Sequence, residues 1–397
     1  MAIKYIDQAD FKDKKVIARF DFNVPLSGAP LTIDDTTRID LAIPTIRKIL
    51  TGGAKKLVMM SHLGRPKAGK DKRFSLEPVA SYLAERLHEE ILLTESATDS
   101  AIKTMLGLST NRIILLENLR FHPQEKANDP EFARTLASYA DIYVNDAFGT
   151  CHRKHASTYG INTYFPQDAY GGMLLAREVT ALAKVVERPQ MPLVAILGGA
   201  KVQDKIKIIE KLLPIVSQLL IGGAMAYPFL KAQGYTVGKS LCDDGDVKLA
   251  KGILMDTTAR KISLPTDHLV ATSIHGDAVS ITEKNIPDDM MGLDIGEVTV
   301  ANYVNLISKA KTVLWNGPMG LFEKPCFAHG SMEIAKAMAH ASDAFTLVGG
   351  GDSVSAVKRS GKGDLISHIS TGGGASLEYI EDGELPGIQA LKFGINE

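Results

Sequence analysis

Leu193–Lys201 reads LVAILGGAK: an unbroken apolar run, two glycines, a small residue and a lysine. A strand with one wet face alternates apolar and polar side chains. A run that is apolar throughout suits a strand buried on both faces, as in a parallel sheet covered by helices. The pattern recurs outward from this stretch. Toward the C-terminus, Leu219–Ile221 runs into Gly222-Gly223-Ala224, Thr312–Trp315 into Asn316-Gly317-Pro318-Met319-Gly320, and Phe345–Val348 into Gly349-Gly350-Gly351-Asp352. Lys261–Leu264 is a further short run, and Gly372-Gly373-Gly374 a further glycine cluster. Toward the N-terminus, Val16–Phe22, Leu57–Met60, Arg112–Leu116 and Ile142–Val144 have the same apolar character. Helical spacing fills the gaps, over Glu77–Glu89, Pro130–Ala140, Asp204–Val216, Val300–Ala310 and Met332–Ala341. Alternating strands and helices predict an α/β fold with doubly wound parallel sheets.

So many strands exceed one comfortable sheet, and two α/β domains are expected. Met173–Glu187 (MLLAREVTALAKVVE) has helical spacing and ends before Pro189 and Pro192, which cannot continue a helix. It reads as the helix joining the domains. The expected division is 1–170, a joining helix at 171–188, and 189–371.

The chain has 397 residues, with 45 Lys and Arg against 46 Asp and Glu and a formal net charge of -1. That balance argues against a nucleic-acid coat or a basic membrane-surface protein. Three separated cysteines, Cys151, Cys242 and Cys326, give neither a disulfide framework nor a zinc spacing. No apolar leader and no membrane-length apolar stretch is visible. A cytoplasmic protein is expected.

In open parallel sheets, ligands bind beyond the carboxyl ends of the strands. Those positions differ between the two halves. In the first they are polar and cationic: Arg19-Phe20-Asp21-Phe22-Asn23, Ser61-His62-Leu63-Gly64-Arg65, Glu117-Asn118-Leu119-Arg120 and Asn145-Asp146, with Arg38, His152 and Arg153 close by in sequence. In the second they are the glycine clusters, which let backbone N–H groups approach phosphate. One half thus reads as a site for a small, strongly anionic ligand and the other as a nucleotide site. Together they predict a phosphotransferase with two substrates. Gly64–Lys70 imitates a phosphate-binding loop, but Asp71 stands where a metal-binding hydroxyl belongs, so the match is accidental. His152 and His155 resemble metal ligands but lack a third. A nicotinamide dehydrogenase on a similar frame would need a dinucleotide fingerprint, which is absent. A ligand-binding protein that has lost activity is the third class weighed.

The motifs RFDFNVP (Arg19–Pro25), HLGR (His62–Arg65), ENLRF (Glu117–Phe121), DAFG (Asp146–Gly149), GGAKVQDK (Gly198–Lys205), WNGPMGLFE (Trp315–Glu323), GGGDS (Gly349–Ser353) and STGGGASLE (Ser370–Glu378) closely resemble the phosphoglycerate kinase family, in order, from about Ile6 to Leu391. The resemblance implies two Rossmann-like domains, with residues 372–397 returning to the first. It implies reversible transfer of a phosphoryl group from 1,3-bisphosphoglycerate to ADP, with Mg²⁺, in a monomer whose cleft closes by hinge bending. Carried over by motif, Asp21, Phe22, Asn23, Arg38, His62, Leu63, Gly64, Arg65, Arg120 and Arg153 hold the phosphoglycerate. Lys201, Lys205, Gly223, Gly292, Asn316, Glu323, Gly350, Gly351, Asp352 and Ser353 hold the nucleotide, with Asp352 on the metal. Arg38, Lys201, Gly372 and Gly373 serve the transferring group. Cys151, Ala224, Glu297 and His329 depart from the commonest family pattern, and none is a charged ligand of the reacting groups.

The chemistry suits these residues. The acceptor in the ATP-consuming direction is a carboxylate, already ionised at neutral pH, so no general base is required. What remains is alignment and charge neutralisation. Arg65, Arg120 and Arg153 offer planar guanidinium groups for the distal phosphate.

Overall fold

A computed structural model describes residues 2–67, 69–108 and 110–393. The chain divides into two compact units: residues up to Val179 together with those from Glu384 onward, and Thr180–Gly383.

The first unit begins with β1 (Lys15–Arg19), a short hairpin β2 (Leu26–Ser27) and β3 (Thr32–Ile33), helix α1 (Thr37–Thr51) and β4 (Lys56–Met60). It continues with α2 (Glu77–Leu87), β5 (Ile91–Leu93), α3 (Ala101–Gly107), β6 (Ile113–Leu115), α4 (Pro123–Lys126), α5 (Pro130–Ala137), β7 (Ile142–Asn145) and β8 (Ala169–Gly171), after which α6 (Met173–Val186) begins in the first unit and ends in the second. Its sheet runs β5-β6-β4-β1-β7-β8, and every pairing is parallel. The continuous apolarity seen in sequence has the expected cause: all residues of β4, β6 and β7 are buried. On α1, Ile39, Ile43, Ile46 and Leu50 recur every three or four residues and pack into the core with Phe20, Leu57 and Leu83.

In the second unit come β9 (Leu193–Leu197), α7 (Ile206–Leu212), β10 (Gln218–Ile221), α8 (Ala226–Ala232), α9 (Asp244–Leu254) and β11 (Ile262–Ser263). A small antiparallel sheet follows, β12 (His268–Ala271), β13 (Val279–Ile281) and β14 (Met291–Ile295). Then come α10 (Glu297–Ser308), β15 (Thr312–Asn316), α11 (His329–His340), β16 (Phe345–Gly349), α12 (Gly351–Ser360), β17 (His368–Ile369) and α13 (Gly374–Asp382). The main sheet is parallel, in the order β11-β10-β9-β15-β16-β17. Chain order therefore reverses between β9 and β15, the switch point at which doubly wound sheets open a ligand crevice. Trp315, fully buried, anchors the core beneath it with Ile196, Val348 and Met338.

Several expectations shift. The run Val16–Phe22 ends as a strand at Arg19, because Phe22 N then bonds Ser61 Oγ (2.9 Å) instead of a neighbouring strand. The helix expected from Asp204 begins as a 3₁₀ turn at Gln203–Lys205 and becomes α7 only at Ile206. The return to the first unit starts at Glu384 rather than at 372, since α13 packs on α7 and stays with the second unit. Gly372 and Gly373 therefore belong with the glycine loops. The last helix, α14 (Pro386–Phe393), lies in the first unit, where Gly387 N donates to Cys151 O at 2.8 Å. No helix among the described residues is long and apolar enough to cross a membrane.

Candidate active site

In the first unit the polar strand ends converge. Asp21, two residues past β1, accepts from Arg38 Nη1 at 3.1 Å, and the same nitrogen donates to Asn23 O at 3.2 Å. Arg38 is in the first turn of α1, so the helix start and the strand end fix each other. Asn23 Oδ1 accepts from Gly64 N (2.8 Å), which ties this loop to the one after β4. Arg120 Nη1 donates to Gly64 O at 2.6 Å. Asn118 holds both neighbours: its Oδ1 accepts from Leu63 N and Arg120 N, and its Nδ2 donates to Leu63 O and Phe74 O. Leu63 and Phe22 are buried in the core of this unit. Gly64 has φ +61, and an added Cβ would meet the Phe74 ring at 2.4 Å, so only glycine fits.

Cationic charge accumulates here. Burial, with Arg19 and Arg153 beside it, pulls Arg120 down to about 10, still protonated at neutral pH. Its Nε is buried without a hydrogen-bond partner, an unused donor that an anion oxygen would satisfy. Arg153 Nε lies 3.0 Å from His152 Nε2, and Arg65 is exposed at the end of the His62 loop. Burial, reinforced by Arg19, Arg120, His155 and Arg38, holds His62 well below the usual imidazole range, so the ring is neutral. Asp21 Oδ1 stands 3.9 Å from His62 Nδ1.

The second unit assembles the glycine loops in two ways. Some glycines are consumed by packing of backbone on backbone. A Cβ on Gly198 would lie 2.0 Å from Pro318 O, one on Gly223 2.8 Å from Gly199 N, and one on Gly317 2.2 Å from Gly198 O. The loops interlock through Gly199 N to Pro318 O (3.2 Å) and Gly223 N to Met319 O (2.9 Å). Other glycines are open: Gly199, Gly351 and Gly373 have nothing within 4 Å of a Cβ position. Gly292 is covered by Tyr227, whose Oη would sit 2.1 Å from its Cβ. Ser353 Oγ accepts from Gly317 N at 2.6 Å, so this residue pins the loop after β15 to the start of α12.

At the switch point Lys205 Nζ donates to Asn316 Oδ1, at the end of β15. Burial lowers the Lys205 pKa, while Glu381, Asp204 and Asp352 support its charge. Asn316 Nδ2 is buried without a partner, 2.9 Å from the Cβ position of Gly350. Lys201, Glu323 and Asp352 are exposed, with Asp352 in the first turn of α12. A carboxylate there benefits from the helix dipole and leaves most of a metal's coordination shell to a ligand. Gly372 N donates to Ser370 Oγ at 3.2 Å, and Gly373 takes φ +53 at the start of α13.

Two expected decoys resolve structurally. Asp71 ion-pairs with Arg73 (2.7 Å) and caps its backbone N–H, so it belongs to a surface turn. Ala68 in that segment lies outside the described residues. No metal-ligating cluster of three or more His, Cys, Asp or Glu occurs among the described residues, and His155 faces Glu125 instead (3.8 Å). Cys151 is fully buried beside Asn145, and burial pushes its thiol up to about 12. Sequence reasoning gave no role to Glu125 or Ser157, both fully buried, nor to Arg19 as more than a strand end. Glu125 stands in a four-residue polar turn, Pro123–Lys126, which carries no local signal of its burial.

The phosphoglycerate kinase family model matches residues 6–383. A phosphoglycerate kinase of Anaeromyxobacter sp. (strain K) is 49% identical over 99% of this chain and 100% of its own length. One of Clostridium botulinum is 47% identical over 98% of each. Among solved structures, phosphoglycerate kinase from Coxiella burnetii has a TM-score of 0.89 at 39% identity, covering 98% of this chain and 99% of that one. The enzyme from Pyrococcus horikoshii OT3 has a TM-score of 0.83 at 30% identity, covering 99% of both. An arginine-rich strand-end site on one doubly wound unit, glycine loops on the other and full-length likeness agree: the chain belongs to the phosphoglycerate kinase family, the phosphotransferases of glycolysis.

Proposed function

We propose that the two sites divide the reaction by charge. Asp21, Asn23, Arg38, His62, Arg65, Arg120 and Arg153 hold 3-phosphoglycerate or 1,3-bisphosphoglycerate. Phe22, Leu63 and Gly64 shape that pocket through the backbone. Lys201, Lys205, Gly223, Gly292, Asn316, Glu323 and Gly350–Ser353 hold ADP or ATP. The observation that carries this reading is that each site holds a buried donor with no hydrogen-bond partner among the described residues. Arg120 Nε is among the cations of the first unit, and Asn316 Nδ2 is at the switch point of the second. Both await an anionic ligand.

Asp352 suits Mg²⁺, because a single exposed carboxylate at a helix start matches a cation that takes its remaining ligands from phosphate and water. When bound, Mg²⁺ neutralises charge on the phosphate oxygens. The chain's own groups do the rest. Arg38 meets the transferring phosphoryl group from the acid side, and Lys201 with the backbone N–H groups at Gly372 and Gly373 from the nucleotide side. With a carboxylate as acceptor, no residue has to remove a proton, and a neutral His62 is compatible with that.

Transfer needs both ligands in line, so the reading includes closure of the two units around them, in a single chain working in the cytoplasm. Calorimetry tests the division. Arg65→Ala should weaken 3-phosphoglycerate and spare MgADP, and Lys205→Met the reverse. Equal loss of both ligands in either variant would contradict it.

A further inference from the structure

Beneath the acid site runs a buried polar chain to which the assignment above gives no part. Glu125, fully buried, accepts from Ser157 N at 3.0 Å and from Ser157 Oγ at 2.6 Å. Arg19 Nε lies 2.9 Å from Ser157 Oγ, and Arg19 Nη2 lies 3.0 Å from His62 Nδ1. Arg19 also donates to Phe20 O through Nη1, and its side chain is fully buried.

Burial raises the Glu125 pKa, while Arg19 and the Ser157 hydrogen bonds support its charge; with Glu125 as a carboxylate, one ordering of hydrogens satisfies the chain. A guanidinium has donors and no acceptor. Ser157 Oγ therefore accepts from Arg19 and gives its own hydrogen to the Glu125 carboxylate. His62 Nδ1 must accept as well, which leaves the ring proton on Nε2. That nitrogen has no hydrogen-bond partner among the described residues, so its donor is free.

We infer that Arg19, Ser157 and Glu125 are positioning residues that lock His62 as a neutral Nε2–H donor for a substrate oxygen. The inference rests on the assignment of His62 to the phosphoglycerate site. A proton on Nδ1 would cost His62 its bond to Arg19, and a ring carrying both protons would also set two cations in contact. Arg19, Arg120 and Arg38 all disfavour that charge, and His155, itself held neutral and pulled down to about 3, adds no charge of its own. Among the described residues, Asp21 is the one carboxylate within 4 Å of the ring nitrogens, at 3.9 Å, and Arg38 occupies its other oxygen. Glu125 balances the buried charge of Arg19 through Ser157, so its removal acts on His62 at two removes.

Side-chain ¹H–¹⁵N spectra of the full-length protein read the tautomer and charge of His62 directly, with His62→Gln identifying the signal. The expected wild-type spectrum is the Nε2–H form, unchanged from pH 8 to pH 6. In Ser157→Ala the ring should mix tautomers and take up a proton at higher pH. KM for 3-phosphoglycerate should rise several-fold with a smaller change in kcat, and Ser157→Thr should recover both. An Nδ1–H or doubly protonated ring in the wild type at pH 7 overturns the inference, as does a Ser157→Ala spectrum identical to wild type. Should Ser157→Ala fail to fold, the wild-type spectrum still decides. Adding 3-phosphoglycerate separates the underlying assignment: an Nε2 signal that does not move removes His62 from the substrate site and leaves the relay to Arg19 intact.

Discussion

Arg38 Nη1 donates to Asp21 Oδ2 at 3.1 Å, with about a third of the arginine side chain exposed and a tenth of the aspartate. The carboxylate thus holds the guanidinium from the buried side, while the rest of the Arg38 side chain stays exposed. An acid inside a basic pocket is accounted for: it aims a cation without cancelling its neighbours. Asp21→Asn keeps an acceptor but removes the charge. Hydrogen bonds to charged groups contribute roughly 1.5–3 kcal/mol, so KM for 3-phosphoglycerate should rise about tenfold or more. Steady-state kinetics with saturating MgATP checks this, and an unchanged KM would free Asp21 from the role.

Asp352→Asn should weaken use of MgADP and MgATP while 3-phosphoglycerate binds as before. The residue is exposed at the first turn of α12, so its loss leaves the core untouched. Calorimetry with each ligand separates this outcome from a folding defect, which would abolish both.

The glycines give a paired test. Gly198→Ala forces a Cβ to 2.0 Å from Pro318 O, and overpacking of this kind costs about 1–3 kcal/mol. Gly351→Ala meets nothing within 4 Å and should melt with the wild type, yet bind MgADP more weakly because the methyl group intrudes on the nucleotide. Thermal denaturation with nucleotide titration distinguishes them. The expected signature is lost stability in the first variant and lost affinity in the second.

Asp146 is buried where its Oδ1 accepts from Leu175 N (3.0 Å) in α6, and burial raises its pKa from 3.8 to about 7. The folded state therefore binds a proton that the unfolded chain has released between these values. Stability from this group is complete below about pH 4 and falls as pH rises toward 7. Asp146→Asn should flatten that part of the stability–pH curve. Urea denaturation at pH 5 and pH 7 measures it, and an unchanged slope would contradict the buried-carboxyl reading.

Much of this architecture was legible in the residues. Runs such as Leu193–Leu197 announce two-sided burial, and the glycines after them announce loops at strand ends. Strand ends mark Asp21, His62 and Arg120, whereas Arg38 reads as part of a loop-like stretch and stands in the first turn of α1 instead. What did not follow was tertiary in origin. Gly198 and Gly317 look in sequence like phosphate loops, but their missing side chains make room for each other's backbone. The strand β5, only three residues long and half-buried, carries too weak an apolar signal to stand out. Glu125 and Ser157 meet only because α4 and the loop after β7 pack together, and no local pattern marks a contact 32 positions apart. Residues 374–382 look like part of the returning tail, and only their packing on α7 assigns them to the second unit.

In the proposed reaction Arg38 meets charge that develops on the transferring phosphoryl group. The direct measurement is kcat of Arg38→Ala, with 3-phosphoglycerate and MgATP saturating and 1,3-bisphosphoglycerate followed by coupled reduction. Loss of one preorganised transition-state donor typically costs about 10²–10³ in kcat, and that drop is predicted here with a much smaller rise in KM. A kcat within twofold of wild type would contradict the account.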